Sequence, residues 1–104
     1  MKIEVHRQAC SSQDDQLGPL SMAYELPDRC SVEELLRAVI ASRFLQFSST
    51  HTAMRCCVAG VEVATVFSPH VVPVREPIFI VDSATLVRRF ASNRLDVEFV
   101  FVRA

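Results

Sequence analysis

Residues 54–63 read MRCCVAGVEV, two β-prone apolar runs on either side of Ala59-Gly60. Two residues suffice to turn a β-hairpin, and Gly60 supplies the positive φ such turns need. The stretch therefore predicts a strand from Met54 to Val58 and a second from Val61 to Phe67. Successive strand side chains point to opposite faces. The adjacent Cys56 and Cys57 thus belong to different environments, and whichever faces the core is a small buried hydrophobe.

Working outward, MKIEVH at residues 1–6 alternates, with Met1, Ile3 and Val5 on one face. Residues 9–19 are polar, contain Gly18-Pro19 and read as a long loop. Leu20, Met22, Tyr24 and Leu26 alternate as a second strand that ends at Pro27-Asp28. Ser31-Val32-Glu33-Glu34 is a capping box, in which the Ser31 hydroxyl accepts from the Glu34 amide and Glu34 reaches back. Val32, Leu35, Leu36, Val39, Ile40 and Phe44 then follow at helical spacing, predicting one buried stripe from Val32 to Phe44.

Downstream of the hairpin, Pro69, Pro73 and Pro77 restrict the chain to loop or edge strand. Residues 77–81, PIFIV, read as a further short strand. Asp82 or Ser83 is placed to cap a short helix from Ala84 to Phe90. Leu95, Val97, Phe99 and Phe101 then alternate in a strong final strand. The order β-β-α-β-β, short helix, β predicts an α+β fold, a mixed β-sheet packed on one main helix.

The 104 residues correspond to one domain, 1–104, and half of them are hydrophobic. Net charge is −1, which removes the electrostatic argument for nucleic acid or an anionic membrane. The charge is uneven. Residues 1–35 hold seven acidic and three basic groups (−4), and residues 36–104 five acidic and eight basic (+3). Ten of the eleven basic residues are arginine, a bias suited to a GC-rich, bacterial coding sequence. Neither a signal peptide nor a long apolar span is visible, so the expected location is cytoplasmic. The four cysteines, Cys10, Cys30, Cys56 and Cys57, are then expected as free thiols. No Cys/His spacing resembles a zinc site, and two glycines cannot build a phosphate-cradling loop. No cofactor and no metal are expected.

Several stretches resemble the ubiquitin-like β-grasp superfamily: MKIEV its first strand, RCCVAG (55–60) its arginine-led third strand and Ala-Gly turn, ATLVRRF (84–90) its short helical turn, and VEFVFVR (97–103) its last strand. The resemblance covers most of the chain and implies a β-grasp fold. Against it, residues 68–82 look like an insertion before the last strand. Conjugated and sulfur-carrying members end in Gly-Gly, whereas this sequence ends Phe-Val-Arg-Ala and holds no Gly-Gly. A conventional modifier or thiocarboxylate carrier is therefore not expected.

The resemblance turns Cys56 toward the helix and Cys57 to the opposite face of the sheet. That outer face would also carry His6, Glu98, Val100 and Val102. The leading expectation is a non-catalytic protein-protein interaction module, an adaptor or small subunit, whose outer face binds a protein partner or a second copy. The alternative reading of this face is that residues 68–82 or a second copy simply cover it. A nucleophilic Cys57 needs a base, and His6 is the only candidate nearby, with no third group to orient it. The alternatives are thus a small thiol-dependent accessory protein using Cys57 and His6, or an immunity-type inhibitor using the acidic N-terminal part. A Cys57/His6/Glu98 metal site is a weaker reading. Arg88-Arg89 suit the end of the short helix or contact with an acidic partner, and Asp14-Asp15 read as solvated loop charges.

Overall fold

The computed structural model describes residues 1–8, 20–47 and 51–100. Its elements are β1 (Lys2–Arg7), β2 (Ser21–Glu25), α1 (Val32–Ala41), β3 (Ala53–Val58), β4 (Val61–Phe67), β5 (Ile78–Phe79), a 3-10 helix (Val87–Phe90) and β6 (Arg94–Phe99). The six strands form one mixed sheet in the order β2-β1-β6-β3-β4-β5. All pairs are antiparallel except β1 and β6, which run parallel at its centre. The fold is α+β. Among the described residues no helix is long and apolar enough to cross a membrane.

The core lies between one face of the sheet and α1. Ile3, Val5, Met54, Cys56, Val58, Ala64, Val66, Leu95, Val97 and Phe99 pack with Val32, Leu35, Leu36 and Val39 in one buried cluster. Ser31 caps α1 as expected: its hydroxyl accepts from the Glu34 amide, and the Glu34 carboxylate accepts from the Ser31 amide.

The helix is shorter than its spacing predicts. It stops at Ala41 because Arg43 turns into the left-handed region (φ 58°), and its N–H donates to the Ile40 carbonyl. Phe44 is still buried, delivered by the turn instead of by the helix. Ile40 lies about 100° round the helix from Val39, and is 43% exposed instead of in the stripe. The expected helix over 84–90 is also shorter. The Asp82 carboxylate accepts from the Ala84 amide in a turn, and only Val87–Phe90 wind, as a 3-10 helix. Its Val87 drops into the core, while Leu86 bridges to Ser31 at the start of α1.

The Ala59-Gly60 turn places both residues at positive φ, 52° and 77°. That is the pattern of a type I′ hairpin turn, whose twist matches the strands it joins. A β-bulge follows. Cys56 pairs with Ala64 but Cys57 with Glu62, so Val63 is the extra residue. Val63 and Ala64 are both buried, and the alternation of β4 breaks there.

Gln8 extends the central pairing past the end of β1. Its backbone N–H donates to the Val97 carbonyl (2.9 Å), and its side-chain Oε1 accepts from the Phe99 N–H (2.9 Å). The side chain thus stands in for a further strand carbonyl.

Three stability outcomes are expected from urea unfolding midpoints. Gln8→Ala strands the Phe99 amide and lowers stability by about 1–3 kcal/mol. Gly60→Ala costs about 1 kcal/mol through the backbone alone, because the added methyl meets no atom within 4 Å. At the neighbouring position, Ala59→Gly relieves a left-handed alanine and stabilises by about 0.5–1 kcal/mol.

Candidate functional site

The sheet face opposite α1 is built by the alternate residues of each strand. Between parallel β1 and β6, Glu4 stands opposite Arg94 and His6 opposite Asp96. Between β6 and β3, Asp96 stands opposite Cys57 and Glu98 opposite Arg55. Across β3 and β4, Cys57 faces Glu62 and Arg55 faces Thr65. The rows that result are mostly polar, with half-buried Cys57 at their middle. A shallow depression of about 690 Å³ opens there, lined among others by His6, Cys57, Glu62, Asp96 and Glu98.

Its charges are partly paired. Arg94 Nε donates to Asp96 Oδ1 (2.9 Å) and Arg55 Nε to Glu98 Oε1 (3.2 Å). Both pairs are half exposed, so each contributes at most about 1 kcal/mol to stability. They place charge more than they hold the fold together. His6 Nε2 is enclosed without a hydrogen bond, 3.9 Å from Glu4 Oε2.

The thiols differ in kind. Burial, then the neighbouring Cys57 and Glu62, pushes the Cys56 thiol up to about 12. Cys57 is also raised, by burial first and next by the Glu98 carboxylate. Arg55 opposes this, and Glu62 and Asp96 reinforce it. Reactive cysteines need the reverse, an electropositive setting that favours the thiolate. Cys30, Cys56 and Cys57 are free thiols; Cys10 lies outside the described residues.

His6, Cys57 and Glu98 are thus brought together on one face, as the sequence suggests. Val100 follows β6 on that side by alternation, and its N–H donates to the Ala53 carbonyl, but it does not line the depression. Val102, Phe101 and Asp14-Asp15 lie outside the described residues. Arg88 and Arg89 sit exposed on the 3-10 helix, beside the start of α1, and do not join the face. Among the described residues no group of three or more His, Cys, Asp and Glu is placed to hold a metal ion.

Sequence reading missed Arg55, Glu62, Arg94 and Asp96. Alternation from Cys57 and Glu98 was signal enough for Arg55, Arg94 and Asp96. Glu62 follows from the two-residue turn, which sets it opposite Cys57. Residues 68–82 do not cover the depression. They supply β5 at the sheet edge, and Arg75 lies over the Phe67 ring at 3.9 Å, so on this face the segment reaches the β4 margin.

Alkaline pH tests the thiol environments. An unfolded cysteine titrates near 8.5, below the folded Cys56. The unfolded chain therefore loses its proton first, and stability falls as pH rises from about 8.5 toward 12, at up to about 1.4 kcal/mol per pH unit. Cys56→Ala should flatten this slope in urea unfolding at pH 8–11. Separately, iodoacetamide should modify Cys57 at pH 7 more slowly than a small free thiol, and Glu98→Gln with Glu62→Gln should speed it. No family model, curated protein or solved structure matches the chain, and the reading of this face rests on its own chemistry.

Proposed function

We propose that the chain is a ubiquitin-like β-grasp domain serving as a non-catalytic protein-interaction module. The fold reading draws on the strand order β2-β1-β6-β3-β4, with β1 and β6 parallel and α1 between β2 and β3. In this reading β5 and the loop before it are an addition at the sheet edge.

One observation carries the functional reading. The face opposite α1 is lined by charged and half-buried side chains around an open depression, and no helix or strand of the described residues packs on it. A polar, concave, rigidly backed surface of this kind suits recognition of another protein, with paired charges setting orientation. The raised thiol of Cys57 weighs against a nucleophilic role.

Photo-crosslinking in the cells that make the protein tests this. Benzoylphenylalanine at position 23 or 65 flanks the charged rows, and at position 40 it sits on the exposed side of α1. A discrete adduct from 23 and 65, absent from 40, is the expected result. Its mass tells a different protein from a second copy. Adducts from position 40 alone, or none from any position, overturn the proposal.

A further inference from the structure

The sheet ends on one side at β2, and the backbone hydrogen bonds of this strand run inward only. The Arg7 N–H donates to the Leu20 carbonyl, and the Leu26 N–H to the Met1 carbonyl. Bonded pairs alternate along an antiparallel ladder. With Val5 opposite Met22 and Ile3 opposite Tyr24, the residues that bond to β1 are Leu20, Met22, Tyr24 and Leu26. Ser21, Ala23 and Glu25 turn their N–H and C=O groups away from the sheet, and these meet no backbone partner among the described residues. Donors and acceptors at that spacing fit another extended strand.

The edge is open to one. Of the five residues of β2 only Tyr24 is partly buried. The strand holds no proline, no lysine and no bulge, the devices that keep an edge from pairing.

Its side chains say which strand fits. Counted outward from Ala23, Met22 and Tyr24 stand one residue away, Ser21 and Glu25 two, and Leu20 and Leu26 three. The pattern reads alike in both directions. An antiparallel second copy centred on Ala23 therefore lays Met22 against Tyr24 and Leu20 against Leu26, all on the α1 side of the sheet. Met22 is 42% exposed, so that margin has apolar surface left to cover. On the other side the Ser21 hydroxyl comes opposite the Glu25 carboxylate, a donor facing an acceptor. The single charge of the strand does not meet its like, as it would in a parallel, in-register pair.

We propose that two copies of this chain pair antiparallel through their β2 edges, about a twofold axis at Ala23, joining two six-stranded sheets into one. Both helices then lie on one side of the joined sheet and both depressions on the other, so the dimer leaves the outer face open and goes beyond the reading of that face. The pairing uses both β2 edges and closes at two copies. It spans residues 20–26 of each copy, short of the roughly 20–30 residues a side of a standard interface, so the dimer is reversible.

Sedimentation equilibrium up to about 1 mM protein tests this. The mean mass should rise with concentration toward twice that of the chain, and not beyond. Ala23→Pro removes the N–H at the axis without touching the β1 ladder. It should weaken association about tenfold or more, with its fold checked by circular dichroism. Ala23→Glu and Ala23→Lys each set like charges together at the axis and should each weaken the dimer several-fold. An equimolar mixture of the two should regain it, because the contact places residue 23 beside its own counterpart. Ile78→Lys on β5 and Glu62→Lys on the outer face should leave association unchanged.

A mass that stays at one chain, or climbs past two, overturns the inference. So does a dimer that Ala23→Pro and the separate charge variants leave intact, or a mixture that associates no better than either variant alone. The outer-face reading is tested apart from this, by the crosslinks from position 65, which lies on β4 and away from β2.

Discussion

The parallel pairing of β1 with β6 is the constraint on which the rest of the molecule depends. It joins residues 4–7 to residues 94–97, segments some ninety residues apart in the chain. A parallel pair cannot be made by a tight turn and needs a crossover. Everything between must therefore fold around the pair, β2 hairpinning to one side and β3 and β4 filling the other. With β1 and β6 central, their inward residues Ile3, Val5, Leu95 and Val97 sit at the middle of the core, under α1. The same pairing fixes the outer face, because Glu4 and His6 come beside Arg94 and Asp96 only through it.

Much of this architecture was legible in the sequence. Alternation announced β1, β2 and β6, the capping box at Ser31 marked the start of α1, and Ala59-Gly60 marked the hairpin of β3 and β4. Each signal is local, written in residues that touch or neighbour one another. The rest depended on events with no local signature. Nothing in Arg43 announces a left-handed conformation, so the end of α1 was overrun. The bulge at Val63 shifts a single residue, yet it brings Thr65 and Phe67 to the outer face, opposite Arg55 and Ala53. Gln8 became a surrogate backbone carbonyl only once Phe99 lay beside it. The site was half legible for the same reason. His6, Cys57 and Glu98 follow from alternation, but the arginines and carboxylates between them gain meaning only from cross-strand register.

The outer face shows how a sheet can hold many charges without spending them on stability. Exposed ion pairs contribute little, and Arg55–Glu98 and Arg94–Asp96 are of that kind. Their effect is positional. Each arginine holds one oxygen of its carboxylate, so that both charges line the depression in fixed pairs. The half-buried thiol at its middle is raised by burial first, and the carboxylates around it add to that shift.

The far edge of the sheet has a consequence for how the protein behaves when crowded. β5 is an edge strand of two residues, and Val72, Val74, Ile78 and Ile80 around it are large, apolar and half or more exposed. Such an edge is a template for runaway strand addition between molecules. Here Pro73 and Pro77 interrupt it: each lacks an N–H, and Pro77 stands immediately before the only two residues in ladder geometry. A neighbouring chain that approaches this edge finds two residues to pair with and then an imide. The prolines thus keep the apolar segment from growing into a continuous intermolecular sheet.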